Sequence, residues 1–185
     1  MAIDPRLVGI WREEQGFHNI QEIRSDGKEF TVSSNGLFVI DTTKNPEQLT
    51  LKDSKDVRDR VGGTPGTGIL GLWNDRAYME PDGNTVHEIY YRPDHTYIDK
   101  AVSGPLYCPQ DTPTTGDYTV TGGVNEGQIE HKSLLGIFTT NGSRFLYRLI
   151  DMPDESGTLV FSNGNNTVTF EYDPPGGPWV YHRLP

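Results

Sequence analysis

The chain has 185 residues, enough for one domain with a real core, and a formal net charge of −10. That acidity argues against a nucleic-acid partner, and a single cysteine, Cys108, excludes an intrachain disulfide and a thiol metal cluster. Twenty-one glycines, thirteen prolines and a hydrophobic fraction of 34% favour short strands joined by turns over long helices.

The first residues, Met1 to Arg6, lack the charged and apolar regions of a signal peptide, so the expected compartment is the cytoplasm. No apolar stretch approaches ~20 residues, so no membrane span is expected.

Alternation with period two predicts strands at 7–13, 18–24, 28–33, 36–41 and 48–53. Asp26-Gly27 and Asn35-Gly36 supply turn residues between them. Residues 54–66 are charged and then glycine-rich. They read as a loose connection with a helical turn around 53–61. The glycine run Gly62 to Gly68 has no Lys-Ser/Thr after it and is not a phosphate cradle. Strands follow at 68–74, 85–91 and 95–100, with Asp82-Gly83 as a turn. Residues 101–116 contain Pro105, Pro109 and Pro113 and read as a long loop. The remaining strands are predicted at 117–121, 127–132, 134–140, 143–150, 157–162, 166–172 and 179–183. Asn141-Gly142 and Asn163-Gly164 supply turns among them.

One five-residue pattern occurs three times: Leu7-Val8-Gly9-Ile10-Trp11, Ile69-Leu70-Gly71-Leu72-Trp73 and Leu134-Leu135-Gly136-Ile137-Phe138. The aromatics are 62 and then 65 residues apart. This spacing marks repeat-like units of about 7–68, 69–133 and 134–185 within a single domain, 1–185.

The Gly-x-Trp at the start resembles the opening strand of the lipocalin-like (calycin-type) β-barrel family. The resemblance continues through Tyr91-Arg92-Pro93-Asp94-His95-Thr96-Tyr97 and Thr115-Gly116-Asp117-Tyr118-Thr119-Val120. His95 stands where glycine would be usual. The resemblance implies an all-β, antiparallel barrel around a small apolar ligand. It also implies a late arginine, here Arg183, stacked on Trp11 at the closed end. The threefold pattern raises a β-trefoil as the alternative, although its usual unit is shorter than the spacing here.

Alternation also assigns faces. Phe145, Tyr147 and Leu149 share one face, as do Tyr118 with Val120, Ile129 with His131, and Val168 with Phe170 and Tyr172. Tyr118, His131, Tyr147 and Tyr172 are therefore expected in one interior, with Tyr97 or Tyr107 near its mouth. In 85–91, either Glu88 and Tyr90 or His87, Ile89 and Tyr91 face inward. His131 and an inward Glu88 are the candidate proton-handling groups. No His-x-His pair occurs, and neither a metal nor another cofactor is expected.

Three functions fit these features. One is a barrel that binds a small hydrophobic or aromatic molecule. The second is a cofactor-independent cyclase or isomerase of a natural-product pathway using the same cavity. The third is a surface-acting interaction or inhibitor protein. The sequence leaves the oligomeric state open.

Overall fold

A computed structural model describes residues 3–15, 19–52, 56–75, 86–104, 110, 112–173 and 178–185. Tyr107, Cys108 and the expected turn at Asp82-Gly83 lie outside the described residues. Among the described residues the structure is all strand and turn, apart from one 3₁₀ turn at Asn163–Asn165.

The strands are β1 (Gly9–Glu13), β2 (Ile20–Ile23), β3 (Lys28–Asp41), β4 (Gln48–Leu51), β5 (Asp56–Gly62), β6 (Gly71–Asn74) and β7 (Val86–Tyr91). They continue as β8 (Thr96–Ser103), β9 (Thr114–Gly122), β10 (Glu126–Asn141), β11 (Arg144–Leu149), β12 (Glu155–Ser162), β13 (Thr167–Tyr172) and β14 (Trp179–Arg183). Each pairs antiparallel with its neighbours in sequence, and β14 returns to β1, so the strand order closes on itself. The all-β antiparallel barrel expected from the sequence is present. Among the described strands, closure leaves no unpaired edge.

Four expectations fail locally. Within the stretch expected to be a loop with a helical turn around 53–61, the described residues from Asp56 form β5, paired to β4 and β6. Its inward positions are Arg58 and Arg60, so it carries no apolar alternation to reveal it. Asn35-Gly36 is not a hairpin turn: β3 runs through it, pairing first with β2 and then with β4. In the same way 127–132 and 134–140 are one strand, β10. The connection expected over 101–116 is shorter, because β8 runs on to Ser103 and β9 begins at Thr114.

The chain divides into two compact units. Unit 1 is Met1–Val32 with Leu134–Pro185, and unit 2 is Ser33–Ser133. The division falls inside β3 and inside β10, which also pair with each other. In unit 1 the Phe138 N–H donates to Gly27 O (2.8 Å), and in unit 2 the Ile40 N–H donates to Asn125 O (2.7 Å).

Each unit has its own core. Unit 1 packs Leu7, Trp11, Ile23, Phe138, Phe145, Leu159, Val168 and Phe170. Unit 2 packs Phe38, Ile40, Leu49, Trp73, Ile89, Tyr91 and Ile129.

Each unit also has the same corner. In unit 1 the Arg183 guanidinium lies 4.3 Å from the Trp11 ring centre, and in unit 2 that of Arg60 lies 4.2 Å from Trp73. Both tryptophans donate Nε1–H to the carbonyl four residues earlier, at 2.7 Å in each case. Both arginines donate to the carbonyls three and five residues before the tryptophan: Val8 and Arg6, and Leu70 and Gly68. Gly9 and Gly71 have positive φ, and a Cβ on either would lie 2.4 or 2.7 Å from the arginine Nη1. The glycine of the motif is required by this close approach.

Phe138 carries no such corner. It stacks on Tyr147 at 4.1 Å between ring centres, and a Cβ on Gly136 would lie 2.5 Å from that tyrosine ring. The third copy of the pattern resembles the others in sequence and differs from them in packing.

Candidate functional site

In unit 1 the strands alternate cleanly between inside and outside. Trp11 and Glu13 share the inner face of β1, and Gly157 and Leu159 are buried on β12. Phe145, Tyr147 and Leu149 on β11 face inward, as do Val168, Phe170 and Tyr172 on β13. Trp11 and Arg183 are register partners, and so are Glu13 and Tyr181 one step further along. The interior at the Trp11 end is filled. Beyond Glu13 and Tyr181 it opens into a cavity of about 710 Å³.

Phe138, Leu149 and Phe170 supply the apolar wall of this cavity. Tyr147, Tyr172 and Tyr181 supply rings with hydroxyl tips, and Trp179 and Met152 also line it. Glu13, Glu29 and Glu155 bring carboxyl groups from β1, β3 and β12. The volume lies within the range that small-molecule pockets occupy in general.

Glu29 is the most unusual of these side chains. It is 4% exposed, and the Tyr147 hydroxyl donates to its Oε2. Burial pushes its carboxyl up to about 7, and the hydrogen bond from Tyr147 opposes the shift without cancelling it. Burial also raises the Tyr147 hydroxyl well above the ordinary phenol range, reinforced by the Glu29 charge. Tyr172 and Tyr181 are raised in the same direction, again chiefly by burial.

Unit 2 holds a polar cluster. The Tyr91 hydroxyl lies 2.6 Å from His131 Nε2, and Ser34 Oγ lies 2.7 Å from His131 Nδ1. Tyr97 bonds Ser133 Oγ at 2.8 Å and packs edge-on against the His131 ring. The Tyr118 hydroxyl donates to Arg92 O at 2.7 Å. Burial, then the positive charge of Arg58, lowers His131 to about 4, so the imidazole is neutral at pH 7. Burial, then the charge of Asp94, raises Tyr118 to about 12. A smaller cavity of about 290 Å³ is lined by Ser34, Asn35, Gly36, Leu37, Leu51, Ile129 and His131. A neutral imidazole between two hydroxyls can pass a proton from one ring nitrogen side to the other.

The expected site residues are divided between the two units. Tyr97, Tyr118 and His131 come together in unit 2, and Tyr147 and Tyr172 in unit 1. Glu88 lies on the face of β7 opposite the buried Ile89 and Tyr91, where Asn74 Nδ2 donates to it (3.1 Å) and Lys100 is 3.9 Å away. Alternation does not single out Glu29, Ser34 or Tyr181. The signal for Tyr181 is present, since it shares a strand face with Arg183. Glu29 is hidden by Phe30, which is also buried and packs beneath Arg24 (3.8 Å).

Among the described residues no group of three or more His, Cys, Asp or Glu is placed to hold a metal ion. None of the described helical segments is long and apolar enough to cross a membrane. No family model, curated protein or solved structure matches the chain.

Proposed function

We propose that unit 1 binds a small apolar or aromatic molecule inside its ring of strands, in the manner of lipocalin-like barrels. The observation that carries this reading is the cavity of about 710 Å³ walled by Phe138, Leu149, Phe170 and the rings of Tyr147, Tyr172 and Tyr181. Rings of this kind offer a large contact area while losing little rotamer freedom on binding. The Trp11–Arg183 corner keeps the other end of the interior packed, and the aromatic walls of the cavity stand on strands, while Asn19, Asp151, Met152, Asp154 and Asp173 reach it from the connections.

The test uses N-phenyl-1-naphthylamine, a weakly basic fluorophore that is neutral above pH 5 and brightens in apolar surroundings. Titration into the protein at pH 8 is expected to give saturable enhancement. Leu149→Trp fills part of the cavity and is expected to weaken binding by about tenfold or more, the effect of removing one well-packed apolar surface from the ligand. No enhancement with the unmodified protein, or equal binding to a folded Leu149→Trp variant, sinks the reading.

A further inference from the structure

We propose that the ligand of unit 1 is an organic cation, an amine on an apolar or aromatic body, whose ammonium group seats against Glu29. This rests on the reading of the cavity as a ligand site and names the chemical class of its occupant.

Three interior wall positions on three strands carry carboxyl groups: Glu13, Glu29 and Glu155. A barrel that took only neutral apolar molecules would gain by filling such positions with Leu or Phe, since buried carboxyl groups cost free energy unless they are compensated. Glu29 is 4% exposed, lines the cavity and receives a hydrogen bond at Oε2 from Tyr147. The side chain stands in the cavity lining, where a ligand can reach it. Glu13 accepts a hydrogen bond from Asn19 Nδ2 (3.4 Å), and among the described lining residues there is no lysine or arginine beside Glu29. The acids Asp154 and Asp173 at the same cavity are paired with Arg148 and Arg144, which are not lining residues.

The cavity therefore presents the Glu29 carboxyl group together with aromatic rings. Both attract a cation, the first by charge and the second through the ring quadrupole. A fatty-acid or other carboxylate ligand would meet the ionised Glu29 as a like charge. Tyr147 holds the Glu29 carboxylate from one side, so an incoming N–H donor has a pre-oriented acceptor.

The same arrangement links binding to pH. The groups facing Glu29 are Tyr147 on β11, Tyr172 on β13 and Tyr181 on β14, and Glu13 on β1 and Glu155 on β12 lie near Tyr181 in the same cavity. None of them supplies a positive charge. With its carboxyl near 7, Glu29 is largely protonated at pH 6 and ionised at pH 8. An ammonium ligand binds the ionised form, so below pH 7 its binding must displace a proton from Glu29 to solvent.

The experiment is isothermal titration of the whole chain with tryptamine, with its neutral analogue tryptophol and with indole-3-propionate, at pH 6 and pH 8. At pH 8 tryptamine is expected to bind about tenfold or more tighter than tryptophol, and indole-3-propionate to bind least. That preference should fall by roughly tenfold at pH 6, in line with one proton exchanged. In Glu29→Gln the tryptamine preference and its pH dependence should both disappear while tryptophol still binds. The ratio in the unmodified protein needs no variant and stands even if Glu29→Gln fails to fold. Tryptophol binding as tightly as tryptamine at pH 8 overturns the cation assignment and leaves the apolar cavity reading intact. A folded Glu29→Gln that keeps the tryptamine preference overturns the role of Glu29. Failure of all three indoles and of N-phenyl-1-naphthylamine overturns the cavity reading itself.

Discussion

Glu29 and His131 are both buried, and burial moves them in opposite directions. Glu29 rises from the ordinary carboxyl range to about 7, so the folded chain holds a proton that the unfolded chain has lost. Its stabilising contribution is full below the unfolded value near 4.5 and is lost as pH rises through 7. His131 falls to about 4, so the unfolded chain takes up a proton that the folded chain does not. Its effect is opposite: stability rises as pH climbs from about 4 to 6.5. Between about 4.5 and 6.5 the two slopes oppose each other. Removing one should expose the other, at up to ~1.4 kcal/mol per pH unit. Urea unfolding at pH 5 and pH 6.5 should show stability falling with pH in His131→Gln and rising with pH in Glu29→Gln. Matching slopes in the two variants would contradict these burial effects. His131 is legible in the sequence because Ile129 marks its face, and Tyr147 and Tyr172 because Phe145 and Phe170 mark theirs. Glu29 is not, because its neighbour Phe30 is the residue that hydropathy selects.

At the scale of elements, alternation works wherever the inward residues are apolar and fails where they are not. Strands β11, β13 and β14 fall within a residue or so of their predicted ranges. β5 escapes it because its inward residues are arginines, held by acceptors that only the folded chain assembles: Glu47 and the carbonyls of Gly68 and Leu70 for Arg60. Asn35-Gly36 misleads because turn chemistry permits a turn without requiring one. The β1–β14 pair offers a direct test. Arg183 donates to Val8 and Arg6 carbonyls and covers Trp11, joining the two strands that close the ring. Arg183→Ala is expected to lower stability by about 2–3 kcal/mol, because it removes charge-assisted hydrogen bonds and a cation–π interaction at once. Arg183→Lys should recover less than half of this, since an ammonium cannot fork and stack at once. Urea denaturation midpoints decide between them.

At the scale of the whole chain, the two corners also differ in the path of the backbone between their members. Arg60 precedes Trp73 by 13 residues, whereas Arg183 follows Trp11 by 172. The two units are thus related as circular permutants: the same corner, cut at a different point of the ring. The glycine–tryptophan half of each corner is visible in the sequence, and the resemblance supplies the arginine for Trp11. Arg60 escapes because it comes before its tryptophan and not at the end of the chain. The permutation separates the units in time. Closing the longer segment costs about 2 kcal/mol more loop entropy than closing the shorter one. Local interactions form first in folding, and distant ones wait for the intervening chain. The Arg60–Trp73 corner should belong to the folding nucleus, and the Arg183–Trp11 corner should be among the last to form. In stopped-flow refolding, Arg60→Ala should slow folding, while Arg183→Ala should leave the folding rate near its original value and speed unfolding. On a chain being synthesised from its N-terminus, unit 2 can then assemble while Trp11, already made, waits for the residue that will cover it.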